Sequence, residues 1–312
     1  MDVVEKSGNL KVSIIVPAYN EMENIPILME KFSFMFERTK LSGEVILVDD
    51  GSTDKTLDEA KRCEEKYPFL KVVSHRTNRG VTDSLLTGFE NSKGEIFVFW
   101  PADLQYMPED IPKLIEKIDE GYDVVCGWKQ GCYGMKRFVS FVYNTLSRSI
   151  FRIKIHDLNS VKAFKKKIIK EIPVMRKDWH RYMVVMANEL GFKIGEVKIP
   201  LYPRKYGESK FGFWRIPIGF LDLLSVKFQL SFMKKPLLFF GSLGLGLFIL
   251  GVFIGIIALY LRIIMHTGYR PLLYLVILCM SLGASFFALG FLAEAIVNLR
   301  EKIEELSNKI TK

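Results

Sequence analysis

Three polar clusters carry residue types suited to a charged, oxygen-rich substrate: Pro17-Ala18-Tyr19-Asn20-Glu21, Asp49-Asp50-Gly51-Ser52 and Asp103-Leu104-Gln105. The paired aspartates offer carboxylates that accept hydrogen bonds from nucleobase or ribose donors, beside a glycine turn that permits close approach. Asp103 and Gln105 stand two residues apart, so in an extended turn their oxygens point the same way. Hard divalent cations such as Mg2+ take such ligands and complete their shell with substrate phosphates and water. The same spacing also suits Asp103 as the cap of a helix beginning near Pro108. Cys63, Cys126, Cys132 and Cys279 are scattered, with no CxxC pair or histidine at metal spacing, which argues against a zinc site or a disulfide framework.

The clusters fall where strands should end. Val12 to Val16, Glu44 to Val48, Leu70 to Ser74 and Glu95 to Trp100 are short β-rich runs, alternating with helical patterns at Ile25 to Arg38, Thr56 to Tyr67 and Thr82 to Asn91. This alternation predicts an α/β fold, a mostly parallel, Rossmann-like sheet with helices on both faces. Ligands of such sheets bind outside the carboxyl ends of the strands, where the three clusters lie. Asn78-Arg79-Gly80 reads as a turn that positions the next helix, and a lone His180 as a structural residue.

Beyond Gly121 the character changes. Phe138, Val142, Leu146 and Ile150 recur at intervals of four among Lys136, Arg137, Arg148 and Arg152. The pattern suits either a basic amphipathic helix in a headgroup layer or a core-facing helix with a solvated basic face. A second aromatic-rich stretch, Phe211 to Phe232, leads into Pro236 to Leu261, which carries no ionisable side chain and would reach ~39 Å as a helix. Leu272 to Ala293 would reach ~33 Å. Both are long enough to cross a bilayer. Lys227, Lys234 and Lys235 precede the first span and Arg300, Lys302, Lys309 and Lys312 follow the second, so both ends are expected to face the cytoplasm. Residues 1 to 10 lack the form of a signal peptide, which agrees with a cytoplasmic N-terminal domain. The net charge of +9 crowds near the spans and comes with no nucleic-acid motif, so anionic lipid or a phosphorylated substrate explains it better than nucleic acid. Glu294 near the inner end of the second span is costly unless paired, as with Arg300, and packing or headgroup contact is its expected role. Leu299, Ile303, Leu306 and Ile310 have a 4-3-4 spacing compatible with a short coiled coil and a homo-oligomer.

Taken together, Val16-Pro17-Ala18-Tyr19-Asn20-Glu21, Val48-Asp49-Asp50-Gly51-Ser52-Thr53-Asp54, Asn78-Arg79-Gly80 and Ala102-Asp103-Leu104-Gln105 resemble the ordered motifs of family 2 glycosyltransferases. The resemblance implies a GT-A fold. Arg204-Lys205-Tyr206-Gly207-Glu208-Ser209-Lys210-Phe211 is similar to the R-x-x-G-x-S-K-[YF] segment of polyprenyl-phosphate glycosyltransferases, the branch that includes dolichol-phosphate mannose synthases. The two spans and Gly290-Phe291-Leu292-Ala293-Glu294-Ala295-Ile296 resemble the two-span members. By that resemblance Pro17, Tyr19, Glu21 and Asp50 hold the nucleoside of a sugar-nucleotide donor. Asp103 and Gln105 hold Mg2+ or Mn2+ on its diphosphate, and Arg204, Ser209 and Lys210 belong to the substrate-binding segment, with Arg204 and Lys210 near the phosphates. Lys129 and Arg137 match acceptor-phosphate positions, and Asp157 aligns with a carboxylate sometimes assigned as base, read here as orienting sugar or acceptor. The sequence departs from the family's D-x-D-L-Q at Pro101, where the first aspartate is missing.

The implied activity is inverting transfer of a hexosyl residue from a GDP-mannose or UDP-glucose type donor to a polyprenyl (dolichyl) phosphate at the membrane. One alternative in the same fold is a different lipid or protein acceptor; another, which Pro101 raises, is a non-catalytic membrane scaffold that retains a sugar-nucleotide site. The expected organisation is a cytoplasmic catalytic domain over residues 1–230, including interface helices near 135–152 and 211–232. A transmembrane hairpin follows over 233–298, with spans about 236–261 and 272–297, and then a cytoplasmic helical tail over 299–312.

Overall fold

A computed structural model describes residues 11–131, 144–172, 179–204, 206, 221, 223–228, 230 and 235–310. The chain divides into two compact units, Met1–Phe220 and Leu221–Lys312. The first alternates strands and helices in the expected order: β1 (Val12–Ala18), α1 (Asn24–Thr39), β2 (Gly43–Asp49), α2 (Thr56–Lys66), β3 (Leu70–Ser74), α3 (Val81–Glu90) and β4 (Ile96–Phe99). Then come α4 (Ile111–Asp119), β5 (Val124–Gln130), β6 (Lys162–Lys165), α5 (Lys166–Glu171), α6 (Met183–Glu189) and β7 (Ile194–Pro200).

The strands form one seven-stranded sheet in the order β3-β2-β1-β4-β6-β5-β7. Among the described residues only β6 runs antiparallel to its neighbours. Strands buried on both faces must be apolar almost throughout, and β1 (VSIIVPA) and β2 (GEVILVD) are. On one face Ile25, Leu28, Met29, Phe32 and Met35 of α1 and Ile111, Leu114, Ile115 and Ile118 of α4 join Val12, Ile14, Val45 and Val98 in the core. Each such side chain stabilises the fold by about 2 kcal/mol. The strand order reverses between β1 and β4, which opens a crevice at their carboxyl ends. Residues 144–151 are helical, with Asn144, Ser147 and Phe151 buried and Leu146 and Ile150 only partly so. The earlier half of the expected amphipathic helix, and most of the aromatic stretch 211–232, lie outside the described residues.

The second unit contains α7 (Pro236–Ile263) and α8 (Arg270–Ile310). Pro236–Ile263 and Arg270–Leu299 are each long and apolar enough to cross a membrane. Beyond Leu299, α8 continues as helix to Ile310 with Leu299, Ile303 and Leu306 exposed. Glycines let the two helices approach closely. A Cβ on Gly283 would stand 2.7 Å from the Gly244 carbonyl oxygen, and one on Gly244 would stand 2.6 Å from that of Gly283. Helices in lipid associate through this kind of tight contact because apolar surface alone drives nothing there. The Oε2 of Glu294 accepts the Leu237 N–H at 3.2 Å. The contact is with a free N–H at the start of α7, where the helix dipole favours a carboxylate.

Gly283→Val should destabilise the hairpin by about 1–3 kcal/mol, because backbone lies where the new side chain must go. Gly246→Val, at a position with nothing within 4 Å, should be near neutral. Heating both full-length variants in detergent and measuring the monodisperse fraction left by size-exclusion checks the contrast.

Candidate active site

At the end of β1 the chain turns through Asn20, which lies in the left-handed region at φ 56°. Asparagine tolerates this conformation, and its side chain ties the turn to the next one. The Asn20 Oδ1 accepts the Thr53 N–H at 2.9 Å, and its own N–H donates to Ser52 Oγ at 3.0 Å. Gly51, at φ 68°, is required, because a Cβ there would stand 2.6 Å from the backbone of Thr77. Glu21 donates its N–H to Thr56 Oγ1 at 2.8 Å, and its carboxylate accepts the Asn24 amide at 2.6 Å. Pro17 closes on Val48 across the β1–β2 ladder, and Tyr19 is partly exposed at the edge.

The two aspartates of β2 and its turn differ in what they have left to offer. Asp50 is buried and accepts the Arg79 N–H and the Gly80 N–H, each at 2.8 Å, while His75 Nδ1 lies 2.8 Å from its Oδ1. Three of a carboxylate's roughly four acceptor sites are thereby taken. Asp50 thus organises the 75–80 loop, and the Asn78-Arg79-Gly80 turn serves to start α3 from Gly80 at φ 95°. Asp49 retains a buried Oδ1 with no hydrogen-bond partner among the described residues. The adjacent pair in the sequence carried no signal that would rank them, because the ranking is set by a loop thirty residues away.

After β4, Leu104 sits at φ 55° with its side chain in the core, and Asp103 and Gln105 flank it. The Oδ1 of Asp103 accepts the Gln105 N–H at 3.2 Å. Its Oδ2 accepts Arg204 Nη2 at 2.8 Å and Nε at 3.2 Å. Asp103 is not a helix cap: the 3-10 turn Pro108–Asp110 begins after Met107. Gln105 Nε2 donates to the Tyr202 carbonyl at 3.3 Å, which leaves its Oε1 as an acceptor. One carboxylate and one amide oxygen suit a hard divalent cation whose other ligands are substrate phosphate and water. Among the described residues no group of three or more His, Cys, Asp or Glu could hold a metal unaided.

At the end of β5, Lys129 Nζ lies 3.1 Å from Asp157 Oδ2, and Asp157 Oδ1 accepts the Asn159 N–H at 3.0 Å. Glu196 of β7 holds the same loop. It accepts the N–H groups of His156 at 2.8 Å and Asp157 at 3.2 Å, and its other oxygen is 2.7 Å from His156 Nδ1. The His156 ring stacks on Trp128 with centroids 4.0 Å apart. Ser160 Oγ donates to the Tyr106 hydroxyl, joining this loop to the Asp103 turn. These turns follow β1, β2, β4, β5 and β7 or precede the antiparallel β6, so they lie along one edge of the sheet. Arg137, Ser209 and Lys210 lie outside the described residues.

Sequence reasoning passed over Lys162, which is 1% exposed and makes no hydrogen bond or ion pair among the described residues. Its ammonium stands 5.7 Å from the Phe99 ring centroid. Burial, with Arg181 and Lys129 acting the same way against Cys126 and Asp157, pushes its pKa down to about 8. Burial and then the charges of Lys162 and Arg181 hold His180 well below the usual imidazole value, and its Nδ1 meets Thr82 Oγ1 at 3.1 Å. Burial pushes the Cys126 thiol up to about 12, so it is no nucleophile at neutral pH.

The open, mostly parallel sheet with its polar turns gathered at one edge is of the GT-A kind. Solved structures of glucosyl-3-phosphoglycerate synthase from Mycobacterium tuberculosis share it. The complex with Mn2+, UDP and glucosyl-3-phosphoglycerate superposes with a TM-score of 0.56 at 18% identity, covering 70% of this chain and 79% of that one. The complex with Mn2+ and UDP-glucose gives 0.56 at 17% identity over 70% and 78%. The chain belongs to glycosyl transferase family 2, whose model matches residues 13–173. It is 31% identical to the dodecaprenyl-phosphate galacturonate synthase of Rhizobium johnstonii, over 97% of this chain and 93% of that protein. It is 29% identical to the undecaprenyl-phosphate 4-deoxy-4-formamido-L-arabinose transferase of Enterobacter sp. strain 638, over 92% and 88%.

Between pH about 8 and the unfolded value of 10.5, the folded chain binds fewer protons at Lys162 than the unfolded chain does. The contribution of this group to stability therefore rises with pH across that window. Lys162→Met should remove the penalty, raising stability at pH 7 by on the order of 3 kcal/mol and flattening the rise toward pH 10. Denaturant unfolding of the full-length protein in detergent at both pH values measures it.

Proposed function

We propose that this glycosyltransferase moves a sugar residue, with inversion, from a nucleoside diphosphate donor to a polyprenyl phosphate at the cytoplasmic leaflet of a membrane. The observation that carries the reading is similarity to polyprenyl-phosphate sugar transferases over nearly the whole chain, apolar helices included. Basic residues outside both spans support a cytoplasmic N-terminal unit and C-terminus.

The acceptor needs little activation. A phosphate monoester with a second pKa near ~6 is largely dianionic at neutral pH, so its own oxygen is the nucleophile. That oxygen forms the new bond to the anomeric carbon as the bond to the donor diphosphate breaks and the electron pair leaves with the nucleotide. The protein's task is to steer like-charged groups together and balance the charge that develops. Asp157, with one oxygen on Lys129 and the other on the Asn159 N–H, acts by holding the Lys129 ammonium toward the acceptor phosphate. Arg204 balances the leaving diphosphate, and Arg137, Ser209 and Lys210 complete the phosphate sites. Asp103 and Gln105 would hold Mg2+ or Mn2+, which when bound neutralises the leaving group as a Lewis acid. Pro17, Tyr19 and Glu21 line the nucleoside end. There Asp50, with one acceptor site left beside the Arg79 and Gly80 N–H groups and His75, is the base contact.

Purified protein is given dolichyl or undecaprenyl phosphate, Mg2+ or Mn2+, and a panel of radiolabelled GDP- and UDP-sugars that includes UDP-glucose, GDP-mannose and UDP-galacturonate. Label should enter the organic-extractable lipid with one of these donors. The transfer should disappear with EDTA and fall at least about a hundredfold in Asp103→Ala. No transfer from any donor by folded protein would sink the reading in favour of a scaffold without activity.

A further inference from the structure

The turn after β7 is zipped onto the turn after β4. Tyr202 donates its N–H to the Gln105 carbonyl at 2.9 Å, and the Gln105 side chain returns a bond to the Tyr202 carbonyl. Two residues on, Arg204 brings both Nη2 and Nε to a single oxygen of Asp103, whose side chain is 11% exposed. Asp103 is the one carboxylate of its turn, because Pro101 stands two residues before it. An oxygen that already takes two charge-assisted hydrogen bonds has little to give a cation, and the guanidinium repels a second positive charge placed beside it.

We propose that in the donor-free protein Arg204 holds the place of the divalent cation on Asp103, so that the cation enters only together with a nucleoside diphosphate. The proposal rests on Asp103 and Gln105 being the cation's protein ligands. Phosphate oxygens match the guanidinium fork as well as a carboxylate does, so a diphosphate can draw Arg204 away from Asp103 while supplying the ligands that Pro101 cannot. Neither Asp103 nor Arg204 is left unpaired at any stage of such an exchange, which avoids the cost of an uncompensated, partly buried charge. A structural Arg204 and a competing Arg204 predict opposite signs. Removing a mere tie loosens the turn and weakens cation binding, whereas removing a competitor strengthens it.

Mn2+ is titrated into the full-length protein in detergent micelles, with free Mn2+ read from its EPR signal, without nucleotide and with UDP or GDP. The wild type should bind Mn2+ weakly alone and about tenfold or more tightly with one nucleotide. Arg204→Gln alone should bind Mn2+ about tenfold more tightly than the wild type alone, the scale of one partly buried ion pair. Arg204→Lys, which keeps the charge without the fork, should fall between, and it decides by the same sign should Arg204→Gln not fold. Two outcomes overturn the exchange: a variant that binds Mn2+ alone no better than the wild type, or a wild type that binds it equally with and without nucleotide. Absence of Mn2+ binding in every variant and with either nucleotide overturns the ligand assignment, and the exchange with it. Sugar transfer that is unaffected by EDTA would do so independently.

Discussion

The chemistry of this chain hangs on Leu104 being held in a left-handed conformation at φ 55°. A leucine there costs roughly 1–2 kcal/mol. Its side chain is 3% exposed and packed in the core with Trp100, Ala102 and Tyr106, and burial worth about 2 kcal/mol offsets the strain. The reversal lets one oxygen of Asp103 accept the Gln105 N–H while the other takes Arg204, and the Gln105 side chain reaches Tyr202. The other turns at this edge use the same device with cheaper residues, Asn20, Gly51 and Gly80. Residues of α1 and α4 belong to the same core cluster as Leu104, so the strain at the edge is maintained by packing of the whole core.

Charge at this edge is arranged in pairs that a phosphate can re-sort. Asp103 with Arg204 and Asp157 with Lys129 are each a carboxylate beside a cation, joined across 101 and 28 residues of chain respectively. Such pairs add little to stability after desolvation. Under the proposed activity, their value lies in keeping cations preorganised until an anion arrives that binds them better. Lys162 is the exception. It is buried without a direct ion-pair partner among the described residues, and the charge of Asp157 offsets only part of the burial that holds its pKa down. Glu196 is spent on the backbone of residues 156 and 157, so it positions Asp157 without neutralising Lys162.

Much of the fold was legible because its first half is built from parallel strands. β1 to β4 and α1 to α3 fall within a few residues of their expected limits, since strands buried on both faces read as apolar runs and the helices between them show a clear face. β6 was not legible: Lys162-Ala163-Phe164-Lys165 is short and half basic, and it is a strand only because β4 and β5 flank it. The same limit applies to the site. Asp103 and Gln105 were visible as a spacing, but that Arg204 sits on Asp103, that Asp50 is engaged by residues 75 to 80, and that Glu196 clamps the Asp157 loop are long-range facts with no local period. At residues 144–151 the buried positions are Asn144, Ser147 and Phe151, while Leu146 and Ile150 of the apolar stripe stay partly exposed. Asn144 is held there by accepting the Leu158 N–H, a tertiary contact that apolar spacing does not show.

The second unit is as sparing as the first is dense in polar contacts. Two features set the register of α7 on α8: the mutual approach of Gly244 and Gly283, and the bond from the Leu237 N–H to Glu294. A carboxylate at membrane depth is costly unless paired, and an unfilled helix N-terminus is costly for the same reason, so each supplies what the other lacks. Most remaining side chains on both helices, such as Leu238, Phe253, Ile277 and Leu292, are exposed and offer only apolar surface. A hairpin of this kind anchors, and a single pair of helices packed glycine to glycine leaves no channel along its axis. That suits an enzyme whose acceptor is itself a lipid, since a single sugar added to a membrane-borne phosphate needs no conduit, whereas a growing polymer would.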